Sequence, residues 1–253
     1  MTRIIMRGCN GRMGQVITNL VKDDSEAQIV AGIDLVDNIE NGYPVFASLD
    51  ECDVEADVVI DFTSPKLLDE MLAWSIEKQV PIVLCTTGYD EEQLAKIKKA
   101  SEKVALLRSA NMSLGVNTIL KLVQAATNVL AAADFDIEIV EKHHNQKLDA
   151  PSGTALAIAD AINEVLNNEY TYNYDRSQVK AKREKKEIGL SAVRGGTIVG
   201  EHEVIFAGID EVIEIKHTAY SKAIFGKGAV QAAKFLKGKS AGLYNMSQVI
   251  DGE

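Results

Sequence analysis

Three cysteines in 253 residues, Cys9, Cys52 and Cys85, are too few and too scattered for a disulfide frame, and they form no C-x-x-C pair. They read as small reduced core residues, which fits a cytoplasmic protein. Cationic residues are in deficit: 27 Lys and Arg stand against 37 Asp and Glu, a net charge of −10. Such a chain repels a phosphate backbone, so no nucleic-acid partner is expected. No uninterrupted apolar run reaches the roughly eighteen residues needed to cross a bilayer, so no membrane partner is expected either. The opening Met1-Thr2-Arg3-Ile4-Ile5-Met6-Arg7-Gly8 is broken by glycine too soon for a secretory signal. Histidine is scarce, with four in all, and two of these are adjacent. Hydrophobic residues, by contrast, make up 46% of the chain, enough for one large core or two modest ones.

Strand and helix patterns alternate from the start. Strands are expected at Arg3 to Arg7, Ile29 to Ile33, Asp57 to Phe62, Val80 to Cys85 and Val104 to Leu107. Helices fall between them, one running to Val21, one starting at Ser64-Pro65 and one from Asp90 to about Lys103. This βα rhythm predicts an α/β fold with a doubly wound parallel sheet. Near Asn111 the rhythm changes. A long apolar helix from about Gly115 to Ala131 precedes a strand at Asp136 to Val140, a further helix, and consecutive strands at Glu187 to Val193, Glu203 to Phe206 and Glu211 to His217. Strands arriving without helices between them predict a second, α+β domain with a mixed sheet. The division expected is a dinucleotide-binding domain over 1–112, completed by about 222–253, and a second domain over 113–221. The polar stretch Asn167 to Lys186 has no periodicity and reads as a mobile surface loop or lid, its basic part (Lys180 to Lys186) as a solvated loop.

Gly8-Cys9-Asn10-Gly11-Arg12-Met13-Gly14 follows the first strand and opens the first helix. Glycines there permit a tight turn and a close approach of backbone to a pyrophosphate at a helix N-terminus. Asp34 ends the second strand, twenty residues past Gly14, where a carboxylate accepts from a ribose hydroxyl. The same carboxylate repels a 2′-phosphate, and Leu35 cannot neutralise one, which favours NADH. Arg12 keeps NADPH open. Cys85-Thr86-Thr87-Gly88 ends the fourth strand on the edge where such sheets bind ligands.

The richest segment is Glu141 to Thr154, E-K-H-H-N-Q-K-L-D-A-P-S-G-T. It combines a strand end, two histidines, Lys147 and a Pro-containing turn that opens a helix. The first amides of that helix suit a carboxylate, Lys147 adds a positive charge, and His143 or His144 can exchange a proton near neutral pH. Adjacent histidines at a strand end point to opposite sides, so one of them is expected to meet a substrate. Asp149 reads as a brace for the turn or a cap for the helix, and Arg194-Gly195-Gly196-Thr197 as a hairpin or a loop near the substrate. His202 and His217 lie on separate strands without ligand spacing, and no metal is expected.

The motifs G-C-N-G-R-M-G, C-T-T-G-Y, S-A-N-M-S-L-G-V-N, E-K-H-H-N-Q-K-L-D-A-P-S-G-T-A, V-R-G-G-T-I-V-G-E-H and F-G-K-G-A together resemble the dihydrodipicolinate reductase family nearly end to end. That resemblance implies a Rossmann-type domain, a substrate domain whose sheets assemble a homotetramer, and NADH- or NADPH-dependent reduction of a small cyclic imine dicarboxylate in diaminopimelate and lysine biosynthesis. It makes His143 the acid and Lys147 its partner, with His144, Ser152, Gly153 and Thr154 binding substrate carboxylate. It lines the cofactor with Gly8, Cys9, Asn10, Gly11, Arg12, Met13, Gly14, Asp34, Thr86, Thr87, Gly88, Ser109, Ala110, Asn111 and Met112. Two positions depart from the family pattern. Asn145-Gln146 stands where another basic residue is frequent, and Lys222 where an arginine is common. From the residues alone, either His143 or Lys147 can deliver the proton, and closure of the two domains is an expected step. Two rivals bear weighing: another imine-reducing dehydrogenase, such as an aspartate dehydrogenase, and a non-catalytic dinucleotide sensor. The S-G-T cradle beside paired histidines argues against the first, and a sensor has no use for that constellation.

Overall fold

The computed structural model describes residues 1–36, 39–174, 176–178 and 180–252, arranged as two compact units. One comprises Met1–Leu114 and the chain from Ala223 onward, the other Gly115–Lys222.

In the first unit the alternation of β1 (Thr2–Arg7) puts Ile4 and Met6 on one face of a sheet and Ile5 on the other. Both faces are buried, which is why Val58-Val59-Ile60 of β4 (Val58–Asp61) reads as a continuous apolar run. The neighbours are β2 (Ala27–Ile33), β3 (Val45–Phe46), β5 (Ile82–Leu84), β6 (Ala105–Arg108) and β12 (Gly242–Tyr244). All pairings are parallel, in the order β12-β6-β5-β4-β1-β2-β3. The order reverses between β1 and β4, the place where such sheets open a crevice at the strand C-termini. Helices α1 (Arg12–Val21) and α6 (Ala223–Leu236) cover one face through Ile17, Ala229, Ala233 and Leu236. The other face is covered by α2 (Leu68–Lys78) and α3 (Glu91–Ser101), with Met71, Trp74 and Ile97. Asp90 and Gln93 form a capping box at the start of α3.

The second unit has a five-stranded sheet in the order β11-β10-β7-β9-β8. Its strands are β7 (Asp136–His143), β8 (Thr171–Asn173), β9 (Glu187–Arg194), β10 (Gly200–Ala207) and β11 (Val212–Ala219). β7 and β8 run parallel to β9, while β10 is antiparallel to both β7 and β11, so the sheet is mixed. Ile119 and Val123 of α4 (Leu114–Leu130) and Ala155, Ile158 and Ile162 of α5 (Gly153–Val165) pack with Ile137, Ile139, Leu190, Val204 and Phe206.

The sequence expectations differ from the structure in several places. The strands β3 and β12 were not predicted, being two and three residues long and so too short to show a period. The stretch from Asn167 to Lys186, expected to be a free loop, contains β8 and a 3-10 turn at Arg176–Gln178; its residues 175 and 179 lie outside the described ones. Arg183, in the supposedly solvated basic part, is instead tied to the sheet. It donates to Asp136 (2.8 Å), Glu138 (3.0 Å) and the carbonyls of Ile137 and Glu187. Finally, α4 with the 3-10 turn that extends it, Leu114–Ala133, is long and apolar enough by length and composition to cross a membrane, although no unbroken apolar run is. Asn117, Lys121, Gln124 and Asn128 interrupt it, and Ile119 and Val123 serve the core of the second unit.

Candidate active site

At the C-terminal ends of the parallel strands, Gly8 has φ +80°, and a Cβ there would meet the Phe62 carbonyl at 2.9 Å. A Cβ on Gly14 would lie 2.2 Å from the Gly8 carbonyl oxygen, so α1 can approach the loop only because that position is bare. Gly11 is the N-cap of α1 and supplies no side-chain hydrogen bond, leaving no side chain in front of the first-turn residues Arg12 and Met13. Asp34 accepts from the amides of Asn10 (2.9 Å) and Leu35 (2.9 Å), one on each carboxylate oxygen. Each oxygen keeps a second lone pair for a ribose hydroxyl. Cys9 is buried against Gly32, with its thiol donating to the Asn10 side chain. The bare turn, the open helix start and the carboxylate at the end of β2 fit a dinucleotide.

The next loops are held from below by Asp61, fully buried at the end of β4. It accepts from the hydroxyls of Thr63 (2.6 Å) and Thr86 (2.6 Å) and pairs with the buried Arg7 (3.4 Å). Thr86 is thereby turned inward, while Thr87 and Gly88, the latter at φ +83°, are exposed. Ser109, Ala110 and Asn111 follow β6 and Met112 is buried; Asn111 accepts from the Ser113 amide (2.8 Å).

In the second unit β7 runs on past Val140 to His143, further than expected. Its burial alternates, so Glu141 and His143 both face inward, at 1% and 8% exposure. His143 Nδ1 lies 2.6 Å from Glu141 Oε2. Arg194, at the end of β9, donates to both Glu141 oxygens at 2.6 and 2.8 Å, and the Ser152 amide donates to Oε1 at 2.9 Å. Burial works to raise the Glu141 carboxyl, but the hydrogen bonds from Arg194, His143 and Ser152 outweigh it and hold the group below its ordinary value. The Arg194-Gly195-Gly196 turn completes the enclosure, with Gly195 donating its amide to the His143 carbonyl.

Beside this carboxylate stands His202 of β10, whose ring centroid is 5.2 Å from that of His143. Its Nε2 is 3.0 Å from Ser152 Oγ, and that hydroxyl also caps α5 by accepting from the Ala155 amide. Burial, with the neighbouring His143, pushes His202 down to about 4, so its ring is neutral in the fold. His217 pairs with His202 in the β10–β11 register and is also pushed down by burial. Among the described residues no group of three metal-ligating side chains is assembled.

The structure therefore brings His143 and Ser152 together through Glu141, and the remaining expected substrate residues flank them. His144 follows β7 half-buried, and Gly153 and Thr154 form the first turn of α5. Lys147 pairs with Asp149 at 2.9 Å. Ser152, rather than Asp149, caps the helix. The Asp149 carboxyl is lowered first by the Lys147 hydrogen bond, with smaller help from the Gly153 amide. Sequence reasoning missed Glu141 and His202 as site residues. The signal was the i, i+2 spacing of Glu141 and His143, legible only once the strand is known to continue through both.

Comparison with known proteins agrees with this layout. The model for the N-terminus of dihydrodipicolinate reductase matches residues 2–112 and that for the C-terminus matches 115–250. The chain is 49% identical over 250 residues to the 4-hydroxy-tetrahydrodipicolinate reductase of Clostridium novyi, covering 99% of this chain and 98% of that one. With the same enzyme of Caldanaerobacter subterraneus the identity is 50%, at the same coverage. A solved dipicolinate-bound dihydrodipicolinate reductase from Paenisporosarcina sp. TG-14 superposes with a TM-score of 0.80 at 26% identity, over 97% of each chain.

The neutral His202 makes stability depend on pH. Its ordinary value is 6.5 and its folded value about 4, so the folded chain binds fewer protons between them. The contribution is complete above pH 6.5 and is lost as pH falls towards 4, on the order of 3 kcal/mol in total. Urea midpoints should drop across that window, and His202→Gln should flatten the drop. An unchanged slope would show that His202 is not the group responsible.

Proposed function

The chain belongs to the dihydrodipicolinate reductase family, and on that premise we propose a mechanism in which the glycine loop and Asp34 hold NADH and His143 is the acid. The chain is an NAD(P)H-dependent oxidoreductase that reduces 4-hydroxy-tetrahydrodipicolinate to tetrahydrodipicolinate, a step of diaminopimelate and lysine biosynthesis. The observation that carries the mechanism is the Glu141–His143 pair, a buried carboxylate on an imidazole, with the Ser152 amide at the start of α5 on the same carboxylate.

A bound reduced nicotinamide supplies the hydride. Gly8, Gly11 and Gly14 admit its pyrophosphate to the first turn of α1, and Asp34 accepts from the ribose and disfavours a 2′-phosphate. Thr87, Gly88 and the 109–112 segment complete that edge. The substrate carries two carboxylates. Lys147 and the Gly153 and Thr154 amides at the start of α5 take one of them, with His144 alongside. In doing so the substrate displaces the Asp149 carboxylate from Lys147, an exchange of one anion for another. Lys147 is half-buried but Asp149 is exposed, so the displaced carboxylate returns to water and the exchange costs little. The 4-hydroxyl leaves as water together with a proton from the adjacent ring carbon, which gives a C=C–C=N system; hydride adds at its carbon end, and the electron pair moves towards the nitrogen end as an enamine. His143 gives it a proton and is left as a neutral imidazole still bound to Glu141. Assembly as a homotetramer through the second unit's sheet is part of this reading. Its support is the edge strand β11, which exposes Val212 and Ile213. A sedimentation mass of a single chain would remove it.

The reaction is tested spectrophotometrically, with substrate generated in place from pyruvate and aspartate semialdehyde by the preceding synthase. Substrate-dependent oxidation of NADH is expected, and none of either cofactor would sink the reading. His143→Gln should retain NADH binding and lose roughly a hundredfold or more in kcat; near wild-type turnover removes His143 from the mechanism. Asp34→Ser should raise KM for NADH about tenfold, the worth of one charge-assisted hydrogen bond, and lower it for NADPH. An unchanged ratio means that Asp34 does not contact the ribose.

A further inference from the structure

We infer that Glu141 is a positioning residue for the reduction. Its carboxylate, clamped by Arg194 and the Ser152 amide, fixes the His143 ring with Nδ1 protonated, so that Nε2 is the nitrogen that carries the transferable proton. This rests on the reading of His143 as the acid and adds what makes it one.

Three observations carry the inference. First, Glu141 lies 1% exposed, yet its oxygens receive four donors: His143 Nδ1, two from Arg194 and the Ser152 amide. A carboxylate so supplied is an acceptor only, so the proton between it and His143 belongs to the imidazole. Second, among the described residues no side chain covers the other nitrogen on the β10 side. Nε2 lies over Gly200, where a Cβ would stand 3.1 Å from it. Third, the neighbouring histidine has no such anion. Among the described residues His202 hydrogen-bonds the Ser152 hydroxyl, and its Nδ1 is buried without a hydrogen-bond partner. Of two rings 5.2 Å apart, the one on the carboxylate is the one built to bear charge.

The groups facing His143 come from three strands: Glu141 on its own strand, Arg194 from β9 acting through Glu141, and His202 from β10. Arg194 opposes a positive ring, and Glu141 is the anion that stabilises it. The proton balance is simple. The Nε2–H bond breaks as the substrate gains the proton, Nδ1–H stays on Glu141, and solvent water reprotonates Nε2 after product leaves.

The test begins with wild-type turnover, which checks the reductase reading itself. Given that turnover, Glu141→Gln should lower kcat roughly 10- to 100-fold with KM for NADH unchanged. The alkaline limb of its kcat–pH profile should move to lower pH, because the imidazolium has lost its anion. Glu141→Asp should return the limb towards wild type. In a His143→Gln background, Glu141→Gln should have little further effect on the residual rate, whereas a merely structural role makes the two losses multiply. An active wild type with an unchanged Glu141→Gln profile overturns the inference. If Glu141→Gln does not fold, ¹⁵N NMR of the wild-type protein decides: neutral His143 should carry its proton on Nδ1, and an Nε2–H tautomer overturns the assignment.

Discussion

The second unit is organised around one buried negative charge. Removing a carboxylate from water costs several kcal/mol, and in the interior this is offset only if its lone pairs are met with good geometry. Glu141 meets that requirement with donors from separate pieces of chain, and each donor fixes a feature of the site. The bidentate Arg194 ties the end of β9 to β7, in the register that pairs His143 with Arg194. The Ser152 amide ties down the start of α5, whose N-cap hydroxyl then reaches His202. Without the charge there is no reason for an arginine, a helix start and two histidines to converge there.

The parallel sheet uses the same device. Asp61 ends β4 in a fully buried position, and its partners are Arg7 from the neighbouring strand and the hydroxyls of Thr63 and Thr86. Thr86 further accepts from the Thr63 amide, so the loops after β4 and β5 are bound to one another beneath the edge where a dinucleotide fits. In both units an acid at the end of a central strand holds loops in place. The strand supplies rigidity, and the hydrogen bonds transmit it to residues that must contact a ligand.

Much of this was legible in the sequence because the relevant signals are local. Gly8, Gly11 and Gly14 declare a tight turn, Val58-Val59-Ile60 a strand buried on both faces, and Ser152 before an apolar run a helix start. The extent of β7 was not legible. Glu141, Lys142 and His143 look like the polar end of a strand, since ionisable residues are costly on a buried face. They continue it because Arg194, forty or more residues away in sequence, supplies the compensating charge. The short strands β3 and β12 and the anchoring of Arg183 escape for the same reason: each depends on partners distant in sequence. The thiols of Cys52 and Cys85, both pushed up by burial, conform to the simpler expectation of inert core residues.

The magnitudes also separate the two acids of the substrate segment. Glu141 and Asp149 lie eight positions apart, and each holds a cation: Arg194 in one case, Lys147 in the other. Burial distinguishes them. The two cations are similarly covered, but Glu141 is buried and Asp149 exposed; taking one partner from a buried pair costs about 3–5 kcal/mol, whereas a pair whose acid faces solvent is screened and contributes less. On the proposed reading a ligand carboxylate takes the place of the exposed Asp149 on Lys147, while the buried Glu141 keeps its clamp. That reading divides the segment into an exchangeable anion site at its solvent end and a fixed one within. A reductase that must admit and release a dicarboxylate while keeping one imidazole in a single orientation needs both.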